Sequence, residues 1–154
     1  KAIELDSESG EYFINRGAVF ALSGALDKAL ADFNKGLTLT PDHANGYKNR
    51  SLVFQAMQQW DNALKDIEIY LRMHPEDADL WYEKGRIKNI LKKPQEAVAD
   101  FDRAIQLNRQ KGIYYYEKMK ALLAMGQKPA ALQLLNIVQQ YKIPLEPEVQ
   151  AALQ

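Results

Sequence analysis

The sequence predicts an all-α fold of stacked antiparallel helix pairs, and three observations predict it. First, the chain repeats itself: Gly17, Ser51, Gly85 and Met119 stand 34 residues apart, each four residues after an aromatic (Phe13, Tyr47, Trp81, Tyr115) and twelve before an alanine (Ala29, Ala63, Ala97, Ala131). A fixed period of this length marks a solenoid, in which one supersecondary unit cannot bury its apolar face alone and stacks on the next. Second, apolar residues within each unit recur at helical rather than alternating spacing. Third, Pro41 and Pro75 fall at the same offset and punctuate the pattern.

The elements follow in order. Phe13, Gly17 and Phe20 lie on one face of a first helix, which Ser23-Gly24 interrupts. Leu26, Ala29, Leu30, Phe33 and Leu37 form the i, i+3, i+4, i+7 stripe of a second helix. Thr40-Pro41-Asp42 ends it, because proline cannot continue the ladder and the residue before it avoids the helical region. The second unit reads as Tyr47 to Met57, a break near Gln58-Gln59, then Trp60 to Met73 and a stop at Pro75. The third runs Leu80 to Leu91, then Pro94, suited to a first helical turn, through Leu107. It lacks a closing proline after Asn108-Arg109-Gln110, so its boundary is expected to rest on Gly112. The fourth runs Tyr114 to Met125, breaks at Gly126 and continues from Pro129 to Tyr141.

These spacings divide a single domain, 1–154, into repeats at 10–43, 44–77, 78–111 and 112–145. Ala2, Ile3 and Leu5 match Gly36, Leu37 and Leu39 one period on, so 1–9 is expected to be the tail of a preceding repeat, with the polypeptide continuing upstream. Val149 and Leu153 fall where a next first helix would place apolar residues, so 146–154 is expected to be a capping helix or a truncated repeat.

Composition narrows the function. Of 154 residues, 47% are hydrophobic and 26% charged, with 20 basic and 20 acidic residues and no cysteine. A zero formal charge argues against a chain built to coat nucleic acid or anionic lipid. The absence of cysteine excludes disulfide and thiol chemistry and leaves the compartment open. No apolar run approaches the roughly 18 residues of a membrane span.

The concordant units resemble the tetratricopeptide-repeat family, with its period, aromatic, small residue, alanine and boundary proline. The resemblance implies a right-handed superhelical α-solenoid and a non-catalytic protein-interaction scaffold, with no cofactor and no metal. It further implies a concave groove lined by the first helices, where a peptide or helix of a partner protein binds. Carried onto this sequence, the partner-binding residues are Glu11, Ile14, Asn15 and Ala18 from the first repeat, and Asn45, Lys48, Asn49, Leu52 and Gln55 from the second. The third repeat supplies Asp79, Tyr82, Glu83, Arg86 and Asn89, and the fourth Ile113, Tyr116, Glu117 and Lys120. Family members that hold a C-terminal carboxylate use lysine, asparagine and arginine at set groove positions. Only Asn49 matches here, and Asp79 and Glu83 would repel an anion. The expected partner is therefore an amphipathic segment carrying both charge signs.

Other readings are weaker. The Tyr114-Tyr115-Tyr116 run with Tyr82 suggests base stacking, but the repeat register makes Tyr115 core and packs Tyr114 between units, leaving Tyr82 and Tyr116 for a ligand. Lys84, Arg86, Lys88, Lys92 and Lys93 are interleaved with carboxylates and read as a solvated face. His43 and His74, with no cysteine and no convergent spacing, are expected at turns rather than on a metal. Nothing supplies a nucleophile or phosphate loop, so no catalytic residue is assigned. Two alternatives stand beside the adaptor: an accessory repeat region of a larger enzyme or membrane-associated protein, and a module that self-associates through exposed solenoid ends.

Overall fold

The computed structural model describes residues 2–154, with side chains from Ser9 onward. The described residues form helices and connecting turns, in two compact units, Lys1–Pro75 and Glu76–Gln154. The first holds α1 (Ala2–Leu22), α2 (Leu26–Leu39), α3 (Ala44–Ala56) and α4 (Trp60–Met73). The second holds α5 (Ala78–Ile90), α6 (Pro94–Leu107), α7 (Gly112–Ala124), α8 (Lys128–Gln140) and a short α9 (Pro147–Leu153). Helices pair as α1 with α2, α3 with α4, α5 with α6 and α7 with α8; within the units α2 packs on α3, and α6 on α7. No turn separates 2–9 from the first repeat, since α1 runs through Ser9 and Gly10; residue 1 and the side chains of 2–8 lie outside the described residues.

The turn inside each pair is one backbone device repeated at the sequence period. Gly24, Gln58, Lys92 and Gly126 have φ of 77°, 56°, 60° and 71°. The amide of each donates to the carbonyl three residues back (Ala21, Gln55, Asn89, Leu123), and the next amide donates five back (Phe20, Phe54, Lys88, Leu122). These are Schellman closures, which satisfy the last carbonyls of the first helix and need a left-handed residue. Two repeats use glycine there and two carry a side chain.

The connection between pairs is pinned by the periodic aromatic. Tyr47 donates its hydroxyl to the carbonyl of Pro41 at 3.0 Å, and Tyr115 does the same to Arg109 at 3.3 Å, one position matching the other across two periods. Tyr141 donates to the same Arg109 carbonyl at 3.0 Å, its ring stacked on Tyr115. Here Gly112 matters for space rather than for backbone freedom: a Cβ on it would lie 2.4 Å from Cβ and Cγ of Tyr141. His43 and Asp77 cap α3 and α5, accepting from the amides of Gly46 and Leu80 at 3.0 Å.

Within each pair the helices cross at small residues. Ala29, Ala63, Ala97 and Ala131 have no exposed surface, and a Cβ on Gly85 would lie 2.6 Å from the Phe101 ring. Met119 is fully buried at the matching place in the last pair.

A second periodic interaction was not anticipated from the sequence. Arg16 grips Asp32 through two hydrogen bonds of 2.7 and 2.8 Å, and Arg50 grips Asp66 through two of 2.7 Å. One period further, Lys84 and Lys88 approach Asp100 at 3.7 and 2.8 Å. All three aspartates are buried, Asp66 to 2% exposure. The series ends in the fourth repeat, where Leu134 stands in place of the aspartate.

Two residues expected in the groove are instead core. Ile14 is 2% exposed, because glycines on both neighbouring helices let the backbones close around it: a Cβ on Gly36 of α2 would lie 2.6 Å from its Cγ1, and one on Gly46 of α3 would lie 3.2 Å from its Cδ1. Tyr116 is 4% exposed, because the segment leading into α9 covers it; its phenolic oxygen accepts the Glu146 amide at 3.1 Å, and Ile143, Leu145 and Leu153 join its buried cluster. Tyr115, expected in the core, is only half-buried.

Two predictions follow from this architecture. Replacing Gln58 or Lys92 by glycine relieves a left-handed side-chain residue at an open turn, so each variant should gain up to about 1 kcal/mol in urea unfolding. Asp66→Ala strands a mostly buried guanidinium and should cost roughly 3 kcal/mol. Asp102→Ala, which removes an exposed partner of Lys118, should cost under about 1 kcal/mol.

A third concerns pH. The Arg16 hydrogen bonds hold Asp32 below the usual carboxylate range against the opposing effect of burial. A folded value below the unfolded one means that this contribution is complete above about pH 4 and is lost as pH falls through the folded value. Urea titrations of wild type and Asp32→Asn between pH 5 and 2 should show a shallower acid loss in the variant.

Candidate protein-interaction surfaces

Each compact unit carries its own candidate surface. In the first unit, helices α1 and α3 present Ala18, Ala21, Leu22, Asn49, Leu52 and Ala56 around a cleft of about 420 Å³, floored by Leu26, Phe33 and Val53. Leu22 is 90% exposed and Leu52 55%, so two large aliphatic side chains stand in water beside an apolar recess. The sequence-derived set contributes Ala18, Asn49 and Leu52 to this cleft. Gln55 is half-buried, and its amide nitrogen is a buried donor that meets no acceptor among the described residues. Glu11, Asn15 and Asn45 are exposed on the same helices, and the Lys48 ammonium stands 5.1 Å from the centre of the Tyr70 ring.

Six residues of the cleft were missed: Ala21, Leu22, Leu26, Phe33, Val53 and Ala56. Ala21 and Leu22 sit at the end of α1, where the sequence signal is dominated by the Ser23-Gly24 break. The available signal was the repeat itself, since positions 22, 56, 90 and 124 are Leu, Ala, Ile and Ala.

In the second unit, Arg86, Asn89, Glu117 and Lys120 gather around a cleft of about 280 Å³ together with Ile90, which is 44% exposed. Four of these five belong to the sequence-derived set. Arg86 pairs with Glu83 at 3.0 Å, and Lys120 with Glu117 at 3.4 Å and Glu146 at 3.0 Å. Burial works against the Lys120 ammonium, but the Glu146 hydrogen bond and the two carboxylate charges outweigh it and raise its pKa. The surface therefore carries fixed charges of both signs, compensated before any partner arrives.

The tyrosines of this unit are more structural than expected. Tyr82 is half-buried, with Tyr114 at 5.1 Å and Phe101 at 6.1 Å between ring centres, and Arg86 5.9 Å from its own. Burial first, then the Glu117 charge, pushes its phenol up to about 12. Tyr114 is fully buried and donates to Asp79, which also receives Lys111 at 2.6 Å. Asp79 is thus committed to holding α7 against α5, while Ile113 is 37% exposed beside it.

Among the described residues, no cluster of three or more His, Asp or Glu side chains is placed to hold a metal ion. No helix among them is long and apolar enough to cross a membrane.

A tetratricopeptide-repeat family model matches residues 50–125. Tetratricopeptide repeat protein 14 of Mus musculus is 42% identical over 48 residues, which is 31% of this chain and 6% of that protein, so the match spans a small part of the relative. Among solved structures, MamA of AMB-1 superposes with a TM-score of 0.83 at 18% identity, over 92% of this chain and 78% of that one. MamA of Desulfovibrio magneticus RS-1, from residue 41 to its end, gives 0.80 at 20% identity, over 86% and 75%. At these identities the likeness shows the fold. YrrB, described as a TPR protein with an unusual peptide-binding site, gives 0.78 at 27% identity, over 91% of this chain and 72% of that one.

Proposed function

This chain is a tetratricopeptide-repeat protein, and from that premise we propose that it is a non-catalytic interaction module that binds a segment of a partner protein on its first helices. The observation that carries the reading is the apolar cleft between α1 and α3, where Leu22 and Leu52 remain exposed. Burying Leu22 is worth about 1.5–3 kcal/mol and completing the burial of the half-exposed Leu52 roughly half as much, enough to anchor a helix or extended peptide presenting an aliphatic or aromatic residue.

Rigid helices hold the surface in place before binding, so the ordering entropy falls mainly on the partner. The surface around Arg86, Asn89, Glu117 and Lys120 selects by charge rather than by burial. With Glu83 and Glu146 already on its cations, it favours a segment that carries both signs and exchanges one set of ion pairs for another. YrrB, with its peptide-binding site, is consistent with this class of ligand.

The test is selection of binders from a random peptide display library on the full chain, followed by affinity measurement on variants. Leu52→Glu should weaken selected peptides by at least about tenfold, whereas Gln139→Ala, on an exposed face of α8, should not. Peptides that bind both variants as well as wild type would refute the cleft assignment.

A further inference from the structure

Asn45-Gly46 is the one Asn-Gly dipeptide in the chain; every other asparagine is followed by a residue with a side chain. Such a side chain hinders the backbone nitrogen after an asparagine from reaching the asparagine's Cγ, and glycine removes the hindrance. Packing fixes the glycine here. A Cβ on Gly46 would lie 2.7 Å from Leu37 Cδ2 and 3.2 Å from Ile14 Cδ1, so the close approach of α3 to α1 and α2 excludes a larger residue. Asn45 itself is exposed, which leaves its carboxamide open to water.

Place in the helix decides how well the pair is protected. An amide in a helix interior is held by the carbonyl four residues back, whereas the first-turn amides have no such partner. Gly46 stands in the first turn of α3. Its N–H is held by His43, donating to the His43 carbonyl and to His43 Nδ1, each at 3.0 Å. Closing a five-membered ring between this nitrogen and Asn45 Cγ needs the N–H released and the Asn45 ψ turned out of the helical region. Both follow when the first turn of α3 opens.

We propose that Asn45-Gly46 is a spontaneous deamidation site whose rate is set by the His43 cap of α3. The Gly46 nitrogen attacks Asn45 Cγ, and an N–Cγ bond forms as the Cγ–Nδ2 bond breaks. The Gly46 proton and the carboxamide NH2 leave together as ammonia. Water then opens the ring at one of its two carbonyls. Breaking the new N–Cγ bond leaves aspartate; breaking the original peptide bond leaves isoaspartate, with the main chain running through the side chain. Either way water is consumed, ammonia is released, and a neutral side chain becomes an anion.

The two products differ in consequence. Helix α3 has no acidic residue in its first turn, whereas α5 carries Asp79 at the position one period on. Aspartate at 45 thus suits the positive end of the helix. Isoaspartate adds a methylene to the main chain and displaces Gly46 from His43. The site stands independently of the peptide-binding reading.

The test is incubation of the full chain at about pH 8, where imidazole is neutral, with peptide mapping by mass spectrometry over time. Conversion is expected at residue 45 ahead of every other asparagine, and at least about tenfold slower than in an unstructured peptide of residues 41–50. His43→Ala, or His43→Gly where the alanine variant does not fold, should speed it at least about threefold. His43→Ser, which restores a cap, should return it toward the wild-type rate. Deuterium exchange of the Gly46 amide should rank the proteins in the same order. Conversion that stays confined to residue 45 separates loss of the cap from loss of the fold. No conversion at residue 45 in the uncapped variant, a rate that substitution leaves unchanged, or a wild-type rate equal to the peptide's would overturn the proposal.

Discussion

The structure depends above all on how closely the two helices of each hairpin approach. Gly17 leaves room for the Ala29 carbonyl and the Phe33 ring at 3.2 Å from where its Cβ would be, and Gly85 admits Phe101 still closer. That proximity lets Phe33 and Phe101 reach across a pair with no exposed surface, and the dispersion gained by two large rings packed on all sides follows from it. A wider crossing would leave the rings half-solvated, and the repeats would lose the surface on which the next one stacks. Met119 breaks the rule, and the region around it is completed differently, by α9 and its leading segment closing over Tyr116, Leu122 and Val138.

Close approach also explains why the buried aspartates are tolerated. Asp32 and Asp66 lie on second helices pressed against first helices that carry Arg16 and Arg50, and the planar guanidinium meets both carboxylate oxygens at once. A charge buried without such a partner would be costly, so each pair keeps its aspartate compatible with the buried crossing. Arg50 extends this by reaching Asn34 on the neighbouring pair, so one side chain ties the crossing within a hairpin to the stacking between hairpins. Where Leu134 replaces the aspartate, Lys118 keeps only the second of these two contacts, to Asp102.

Helix positions and turns were largely legible in the sequence because they rest on local chemistry: apolar spacing, proline, and the breaks near residues 24, 58, 92 and 126. What was not legible depended on distances between backbones. Ile14 and Ala18 lie one turn apart on the same helix, yet glycines at 36 and 46 bring two other backbones onto Ile14 and leave Ala18 at the cleft. Tyr116 was misjudged for a similar reason, since its cover comes from residues 30 positions away whose path no repeat specifies. The Arg16–Asp32 and Arg50–Asp66 pairs could have been found, because cation and aspartate recur 16 apart in successive repeats. A charge pair, however, carries no sign in a single repeat that it will be buried.

The same period that constrains the core leaves one position free to vary. Residues 18, 52, 86 and 120 occupy matching places on successive first helices and are Ala, Leu, Arg and Lys, whereas 29, 63, 97 and 131 are alanine throughout. The alanines are fixed by the crossing, where even a methylene more would force the helices apart. The first series faces a cleft in each unit, where nothing in the fold dictates size or charge. Ala18 and Leu52 build an apolar recess, while Arg86 and Lys120 build a charged surface already balanced by Glu83, Glu117 and Glu146. A fold whose constraint lies in the crossing can therefore change the size and charge of each cleft by altering one residue per repeat, with little consequence for packing. On that logic the chemistry of these four positions, rather than the fold they share with many proteins, is where the clefts of the two units differ.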